Sequence, residues 1–509
     1  MGSNIKLATI VSYLTLLLGN IISILYTPFM LTKLGSSEYG LFSLVNTIIS
    51  YIYLLDMGLG NAIIRYNAKY IAENDEKAIQ KINGMFLILY SMISLIGIII
   101  GVIVYKNLGL IFTNGLSSGE VDRIKIMFIV AIINLALSFP LNVFSGIIMA
   151  NEKFVFIKIT NLIKTAINPI IMVTILVLGY KSLGMLIAST IFNIIMGFVN
   201  IIYCFYNLKI KMIFKEFDKS LYKEIFKYSF YIFLSAIAYR IYWSTDQVVL
   251  GMFVSSSSIA IYSIGIQFNS YFVSFSNVIS SMFLPRLTKI ANIDENKDEL
   301  MKILIKVSRI QTFIASFIIL GFILIGKQFI MMWAGDEYEI SYYIALLVMI
   351  PQIVSIIQTL FATMLEAINK HKVKAFIYLG VSILNLIITL ILVNVLGAIG
   401  CALGTAIGMI INAILNNIYY KYKLNLNMIY YWKEIMKLSL PIALSFAIGG
   451  ILVKIVQPKS YFSIGIFIVL FTIVFMGVCW VTSLNDYEKE VILSCFNKFF
   501  KIKDKQEAI

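Results

Sequence analysis

Charge is scarce in this chain. Asp, Glu, Lys and Arg together make up 13% of 509 residues, against about 25% in a soluble domain. Over that length too little polar surface is left to cover a water-soluble particle. A soluble enzyme, a disordered protein and a nucleic-acid-binding domain are thereby excluded. Histidine occurs once, as His371 in the basic run 369–372; a lone imidazole builds no metal site and reads as a solvated loop residue. The four cysteines (Cys204, Cys401, Cys479, Cys495) are far apart and form no CxxC, so neither a disulfide framework nor a zinc site is implied. No Walker loop, no GxGxxG after a strand and no HExxH occurs. No catalytic set is therefore expected, and no metal.

What fills the chain is apolar. Hydrophobic residues are 60% of it, with a mean hydropathy of +0.91. A membrane-spanning helix needs about 20 such residues, so the composition supplies on the order of fourteen. Runs of that length fall at about 9–31, 39–61, 82–105, 124–150, 157–179 and 183–206. After a basic break they continue at 229–254, 259–284, 310–332, 342–367, 375–394 and 396–419, then 438–456 and 462–482. The first run is too long for a signal-peptide core and has no small-x-small cleavage site, so it is expected to remain as a helix. The pattern predicts an all-α integral membrane protein of fourteen transmembrane helices.

The net charge of +15 has its meaning in its distribution, because cytoplasmic loops collect Lys and Arg. Of 41 basic residues, 31 fall on one side of the fourteen alternations and 8 on the other, with Lys164 and Arg240 inside spans. Both termini are then cytoplasmic.

The chain also repeats itself. Tyr39–Leu44 aligns with Ile259–Ile264, and Ile71–Glu76 with Ile290–Glu295. Phe144, Ala150, Lys153 and Asn168 align with Phe361, Ala367, Lys370 and Asn385. The offset drifts only from 220 to 217. Six spans per repeat is even, so the halves enter from the same side as parallel repeats, related by an axis along the membrane normal. The expected organisation is an N-terminal lobe (1–206), a basic cytoplasmic linker (207–228) and a C-terminal lobe (229–420). Spans 13 and 14 (421–482) and a cytoplasmic tail (483–509) follow.

Polar side chains inside spans are costly unless they face protein or water, and here they form stripes. In span 8, Ser263, Gln267, Ser270, Ser274, Asn277 and Ser281 share one helical face. Span 2 carries Ser43, Thr47, Ser50 and Asn61. Span 10 carries Gln352, Ser355, Thr359, Thr363 and Glu366, and span 4 carries Asn134, Ser138, Asn142 and Ser145. Helix packing accounts for any one stripe; four in repeat-related places favour a shared hydrated cavity. Arg240 lies near the midplane of span 7 with Ser244 and Gln247 on its face. Asn161, Lys164, Thr165 and Asn168 make a second cationic face in span 5. A structural ion pair is one role for Arg240; an anionic ligand is the other, and its planar fork suits phosphate. Three embedded acids, Asp56, Asp246 and Glu366, are candidates for a coupling ion (H+ or Na+). Asp56 and Glu366 lie near cytoplasmic ends, where solvation or loop capping also suits them. Asp246 is deeper, where a salt bridge is the competing role. No other cofactor is expected.

These residues resemble a family. The run Thr27–Leu41, TPFMLTKLGSSEYGL, is similar to the "LG…YG" opening of bacterial polysaccharide flippases. Asp56-Met57-Gly58-Leu59-Gly60 followed by Arg65-Tyr66 resembles the end of their second span, and Thr245–Gly251, TDQVVLG, their seventh-span motif. The resemblance is to the Wzx-type polysaccharide transporters of the MOP superfamily, over essentially the whole chain. It implies a polyprenyl-diphosphate-linked oligosaccharide as substrate, such as an O-antigen, capsule or exopolysaccharide unit. It also implies alternating access of two lobes in a bacterial plasma membrane, with other polysaccharide-assembly proteins as possible neighbours. A lipid II flippase and a MATE-type drug antiporter share the superfamily and stay open. A membrane glycan polymerase or ligase would carry a large outer loop, and the outer loops near 106–122 and 333–341 are short.

Overall fold

The computed structural model describes residues 2–215, 219–277, 297–367, 371–490 and 493. The side chains of Asn277, Glu366 and His371, and all of Ser281, lie outside the described set. Among the described residues there are fifteen α-helices and no strand. They are α1 (Gly2–Ile52), α2 (Leu59–Ala72), α3 (Glu76–Ile111), α4 (Ser118–Ala150), α5 (Phe154–Val177), α6 (Ser182–Ile202), α7 (Lys219–Phe253) and α8 (Ser256–Asn277). Next come α9 (Lys297–Ala334), α10 (Glu339–Ile357), α11 (Thr359–Ala367), α12 (His371–Lys423), α13 (Met428–Met436), α14 (Ser439–Val456) and α15 (Tyr461–Thr482). Helix is what long apolar runs must form in lipid, because every backbone N–H and C=O has to be satisfied within the segment.

Ten stretches among the described residues are long and apolar enough to cross a membrane. Two of them, Leu7–Ala72 and Val373–Lys423, each contain two of the spans read from sequence. The break inside α1 is at Gly35 (φ 76°) and inside α12 at Gly397 (φ 56°). The number fourteen stands as the sequence's expectation. Gly179 (φ 86°) turns the chain between α5 and α6, and Gly397 stands 218 positions later, within the repeat's drift. Left-handed backbone at both places is where glycine costs least, so the repeat extends to its turns.

Helix ends are capped by the residues the sequence puts there. Asp75 accepts the Ala78 N–H at 2.9 Å to start α3. Ser117 and Glu120 form a capping box on α4. The outward faces are apolar: Leu25 is 72% exposed, Val395 80% and Phe462 79%. Exposed apolar surface on this scale belongs in lipid.

The chain divides into two compact units, residues 1–264 with 378–408, and residues 265–377 with 409–509. In the first, α4 packs against α3, α6 and α2, and α1 against α5 and α7. Its core holds Phe86, Tyr90, Phe128 and Phe139, all essentially inaccessible. Gly97 and Gly101 of α3 lie against Leu135 and Ile132 of α4, the small-residue contact that lets membrane helices approach. In the second unit α9 packs on α10, α14 and α15. There Phe317 stacks on Phe471 at 5.8 Å between ring centroids, and Phe313 meets Phe475 at 5.0 Å.

Candidate functional site

α7 carries the densest polar chemistry of the first unit. Asp246 is 2% exposed. Thr389 donates to its Oδ1 at 3.2 Å, Thr405 to its Oδ2 at 2.8 Å, and the Tyr262 hydroxyl also donates to Oδ2. Asn385 joins the cluster: its Oδ1 lies 3.3 Å from Thr389 Oγ1, and its Nδ2 reaches Thr405 Oγ1 at 3.4 Å. Tyr242 closes it, donating to the Thr405 carbonyl at 2.8 Å. Hydrogen bonds to a charged group contribute about 1.5–3 kcal/mol each. Three of them offset a desolvation cost of several kcal/mol for the carboxylate. Among the described residues no Lys or Arg lies within ion-pair distance of Asp246. Carboxylate, amide and hydroxyl oxygens gathered without a basic partner are the donor set of a hard cation.

Arg240 lies six residues before Asp246 on α7, about 9 Å along the axis. It is half-buried, and among the described residues no carboxylate pairs with it. Tyr51 of α1 donates to its backbone carbonyl at 3.1 Å and lies 2.6 Å from Thr245 Oγ1. Gln247 is held between α1 and α8: Thr47 donates to its Oε1, and its Nε2 donates to Ser263 at 3.0 Å. Ser244 is buried beside them. Hydroxyl and amide contacts therefore tie α1, α7 and α8 together at this level.

The other residues singled out by sequence are dispersed. Asp56 accepts from Tyr90 at 2.6 Å and from the backbone N–H groups of Gly58 and Gly60, at the start of α2. Asn61, on that helix, is exposed. On α5, Asn161 is exposed while Lys164 and Asn168 are half-buried, and none of the three bonds to α7 among the described residues. Gln267, in the second unit, donates to Tyr271 at 2.6 Å, one turn on; Ser274 is half-buried. On α8 beside that stripe, Phe268 is packed against Phe322 and Trp333, and Phe272 is buried.

A third cluster had no forerunner in the sequence reading. Ser37 donates to Glu120 Oε1 at 2.7 Å, and Ser256 to the same oxygen at 2.5 Å. Ser36 and Ser257 lie 3.4 Å apart. A Cβ on Gly40 would fall 1.9 Å from the Ser256 carbonyl oxygen, so only glycine permits this approach. Glu38 accepts from Arg123 at 3.0 Å and from Ser182 nearby. Tyr262, Thr389 and Thr405 were missed as well. Tyr262 is the one of them on α8, and Thr389 and Thr405 stand sixteen residues apart on α12 among apolar neighbours, so no stripe marks them. The available signal was Asn385, already picked out by the repeat, with Thr389 four residues on along the same face.

Comparison with known proteins gives these features a family and a fold. The model of a family described as polysaccharide biosynthesis protein matches residues 6–291. No curated protein matches the chain by sequence. The structure of a lipid II flippase, MurJ, in an inward closed conformation is similar with a TM-score of 0.72 and 18% identity, covering 96% of this chain and 100% of that one. An inward-facing multidrug resistance MATE transporter of the MOP superfamily gives 0.62 and 14%, covering 81% and 94%. A MOP superfamily transporter from Pyrococcus furiosus, described as having a binding pocket of reversed polarity, gives 0.55 and 14%, covering 82% and 95%.

Proposed function

The chain belongs to the polysaccharide biosynthesis protein family, and from that membership we propose that it is a flippase for polyprenyl-diphosphate-linked oligosaccharides. It is a multi-pass membrane protein with the fold of the MOP superfamily. The substrate is a repeat unit of a surface polysaccharide, moved from the cytoplasmic to the outer leaflet of a bacterial plasma membrane by alternating access. Both termini face the cytoplasm, as the 31-to-8 split of basic residues requires.

The observation that carries the reading is Arg240, a half-buried guanidinium in a membrane-spanning helix with no carboxylate partner among the described residues. An Arg at that depth costs about 2.5–3.5 kcal/mol on insertion scales. An anionic ligand repays that cost, and a diphosphate matches the bidentate fork. Gln247 and Ser244 supply an amide and a hydroxyl of the kind sugars need, while the prenyl tail stays in the bilayer. Asp246 of the same helix, with Asn385, Thr389 and Thr405 of α12, holds the coupling ion, H+ or Na+. Loading it neutralises a buried charge six residues from Arg240, and that links ion binding to substrate binding.

The test uses the full chain in liposomes containing a fluorescent undecaprenyl-diphosphate oligosaccharide. Accessibility of the label to an external quencher should rise with the protein and fall to the protein-free level with Arg240→Ala. Transport of a cationic dye with no movement of the glycolipid would assign the protein to the MATE-type antiporters instead. Movement of lipid II alone, a reading the coverage of the MurJ fold favours, would restrict the substrate to that class.

A further inference from the structure

A groove of about 700 Å³ lies in the second unit, apart from the sites described above. Pro351 of α10 stands on one side, Ile410, Ile414 and Ile418 of α12 on the other, and Ile429 and Trp432 of α13 close one end. Hydrogen bonds fix that end. Asn417 Oδ1 accepts from the Trp432 indole N–H at 2.8 Å and from Gln358 Nε2 at 3.0 Å. Asn417 Nδ2 donates in return to Gln358 Oε1 at 3.2 Å. One amide thus ties α13 to α12 and to the residue after α10, so the groove is built into the fold. Its open side is apolar: Ile414 is 53% exposed and Ile429 70%.

Depth and charge narrow the occupant. From Ile410 to Lys421 the wall is eleven residues of helix, about 16 Å at 1.5 Å per residue. The hydrocarbon core is about 30 Å thick, so the groove is as deep as one leaflet. Its Trp432 end is at headgroup depth, because the apolar run of span 12 stops at 419. α13 lies at that level. It packs Met428, Tyr431 and Ile435 into the core, exposes Ile429 and Met436, and carries Lys433 and Lys437 on a third face, the pattern of a helix on the bilayer surface. Charge here has one sign. Residues 367–433 contain no Asp or Glu. Lys421 lines the groove, and Lys433 stands one turn beyond Ile429. Both are exposed, and among the described residues no carboxylate lies within ion-pair distance of either. The Lys421 ammonium lies 5.1 Å from the Tyr422 ring centroid, a contact that leaves its charge uncancelled. Lysines at headgroup depth attract anionic lipid.

We propose that this groove holds one acyl chain of an anionic phospholipid of the surrounding leaflet, its phosphate drawn to Lys421 and Lys433. A chain anchored at the headgroup and one leaflet deep has the length the groove offers, whereas a polyprenyl carrier is far longer. None of the lining residues is assigned to the transported substrate or to the coupling ion, so the site does not depend on the transport reading.

The purified full chain, reconstituted in dioleoylphosphatidylcholine vesicles with a trace of phosphatidylglycerol carrying a diazirine in its acyl chain, tests it. After irradiation, mass spectrometry should place more label on residues 410–418 than on the exposed apolar face of α15. Unlabelled dioleoylphosphatidylglycerol should displace the excess, and added dioleoylphosphatidylcholine should not. Ile414→Trp, at an exposed position that tolerates bulk, should fill the groove and cut its label to the level of α15. Lys421→Gln should raise the dioleoylphosphatidylglycerol needed for displacement roughly 5-fold, and Lys421→Gln with Lys433→Gln on the order of 25-fold. Lys454→Gln, exposed at the end of α14, should leave it unchanged. Even labelling of the groove and α15, unchanged label in Ile414→Trp, or equal displacement by the two lipids overturns the proposal. Preferential displacement by undecaprenyl diphosphate would make the occupant the transported carrier. Absence of lipid label with Ile414 cross-linked to a second chain would make it another copy of the protein. Either result overturns the assignment to a bilayer lipid, and neither touches the transport assay.

Discussion

Ser37 and Ser256 stand 219 positions apart and touch: their hydroxyl oxygens are 3.0 Å apart and both reach Glu120 Oε1. The repeat's offset of 220 here makes Ser256 the counterpart of Ser36 and Ser257 that of Ser37; Ser36 lies 3.4 Å from Ser257, so each serine meets its neighbour's counterpart, as a two-fold axis between them produces. The repeat read from the sequence thus has a physical meeting point, on the side the charge distribution assigns to the outside. If transport requires this side to part, the contact must break in every cycle.

Cysteines at both positions, in a chain freed of its four native ones, should form a disulfide under oxidation, since hydroxyls this close leave room for an S–S bond of about 2.05 Å. Glycan export should stop on oxidation and recover on reduction. Export that continues from fully cross-linked protein would show that the contact is static.

Arg240→Ala should abolish export of surface glycan while expression and membrane insertion stay normal. Arg240→Lys should restore only part of it, because an ammonium cannot make the paired hydrogen bonds of a guanidinium. Normal export by Arg240→Ala at normal protein level ends the anion-site reading.

Asp246→Asn preserves shape but removes the charge that Tyr262, Thr389 and Thr405 surround. Transport driven by an imposed Na+ or H+ gradient should drop at least ~10-fold, the size of an ordinary coupling free energy of 1–3 kcal/mol. Thr405→Val should lower stability by about 1–3 kcal/mol, because a buried carboxylate oxygen is then left short of a donor. A gradient response unchanged in Asp246→Asn would place coupling elsewhere.

Arg309→Ala removes one side of an ion pair whose side chains are 8% and 3% exposed. Breaking such a pair leaves Glu488 buried and uncompensated, at a cost of about 3–5 kcal/mol. Thermal unfolding in detergent should show the loss. Arg309→Met with Glu488→Leu should recover much of it, because two apolar side chains leave no charge stranded. A single variant as stable as the parent would mean that water reaches the pair.

The legibility of the molecule in its sequence follows from what each feature depends on. Spans and orientation depend on hydropathy and lysine placement, which are local, and helices formed where the runs lie. The pairing of Ser37 with Ser256 depends on two turns meeting across the fold, and serine in a turn carries no mark of that. Asp246 stood out because a carboxylate is rare in a span; its threonines did not, because Thr389 and Thr405 bond a backbone carbonyl as readily as a carboxylate. Arg309 was counted as one of the basic residues of a loop. Its role came from Glu488, 179 positions away, and no period or motif links the two.

The stripe on α8 gives the sharpest test of a hydrated path. Cysteines at Gln267 and Ser274, both half-buried on one face, should react with a small water-soluble thiol reagent. The apolar face beside it, about 80–100° round the helix, needs a control that does not damage the fold. Phe268 is boxed in by Phe322 and Trp333 at 5.4 and 5.3 Å, so truncating it would cost about 3–5 kcal/mol and open a cavity of its own. Phe275 is 40% exposed on an apolar surface, and a cysteine there should meet lipid and stay unlabelled. A packing seam would leave Gln267→Cys and Ser274→Cys as inert as Phe275→Cys. Alternating access adds a condition on direction. Saturating glycolipid should shift labelling at Gln267, nearer the outside, in the opposite sense to Ser274, nearer the cytoplasm. If both move together, or if the two faces label alike, water is not confined to the stripe, and Gln267 and Ser274 have no claim on the sugar.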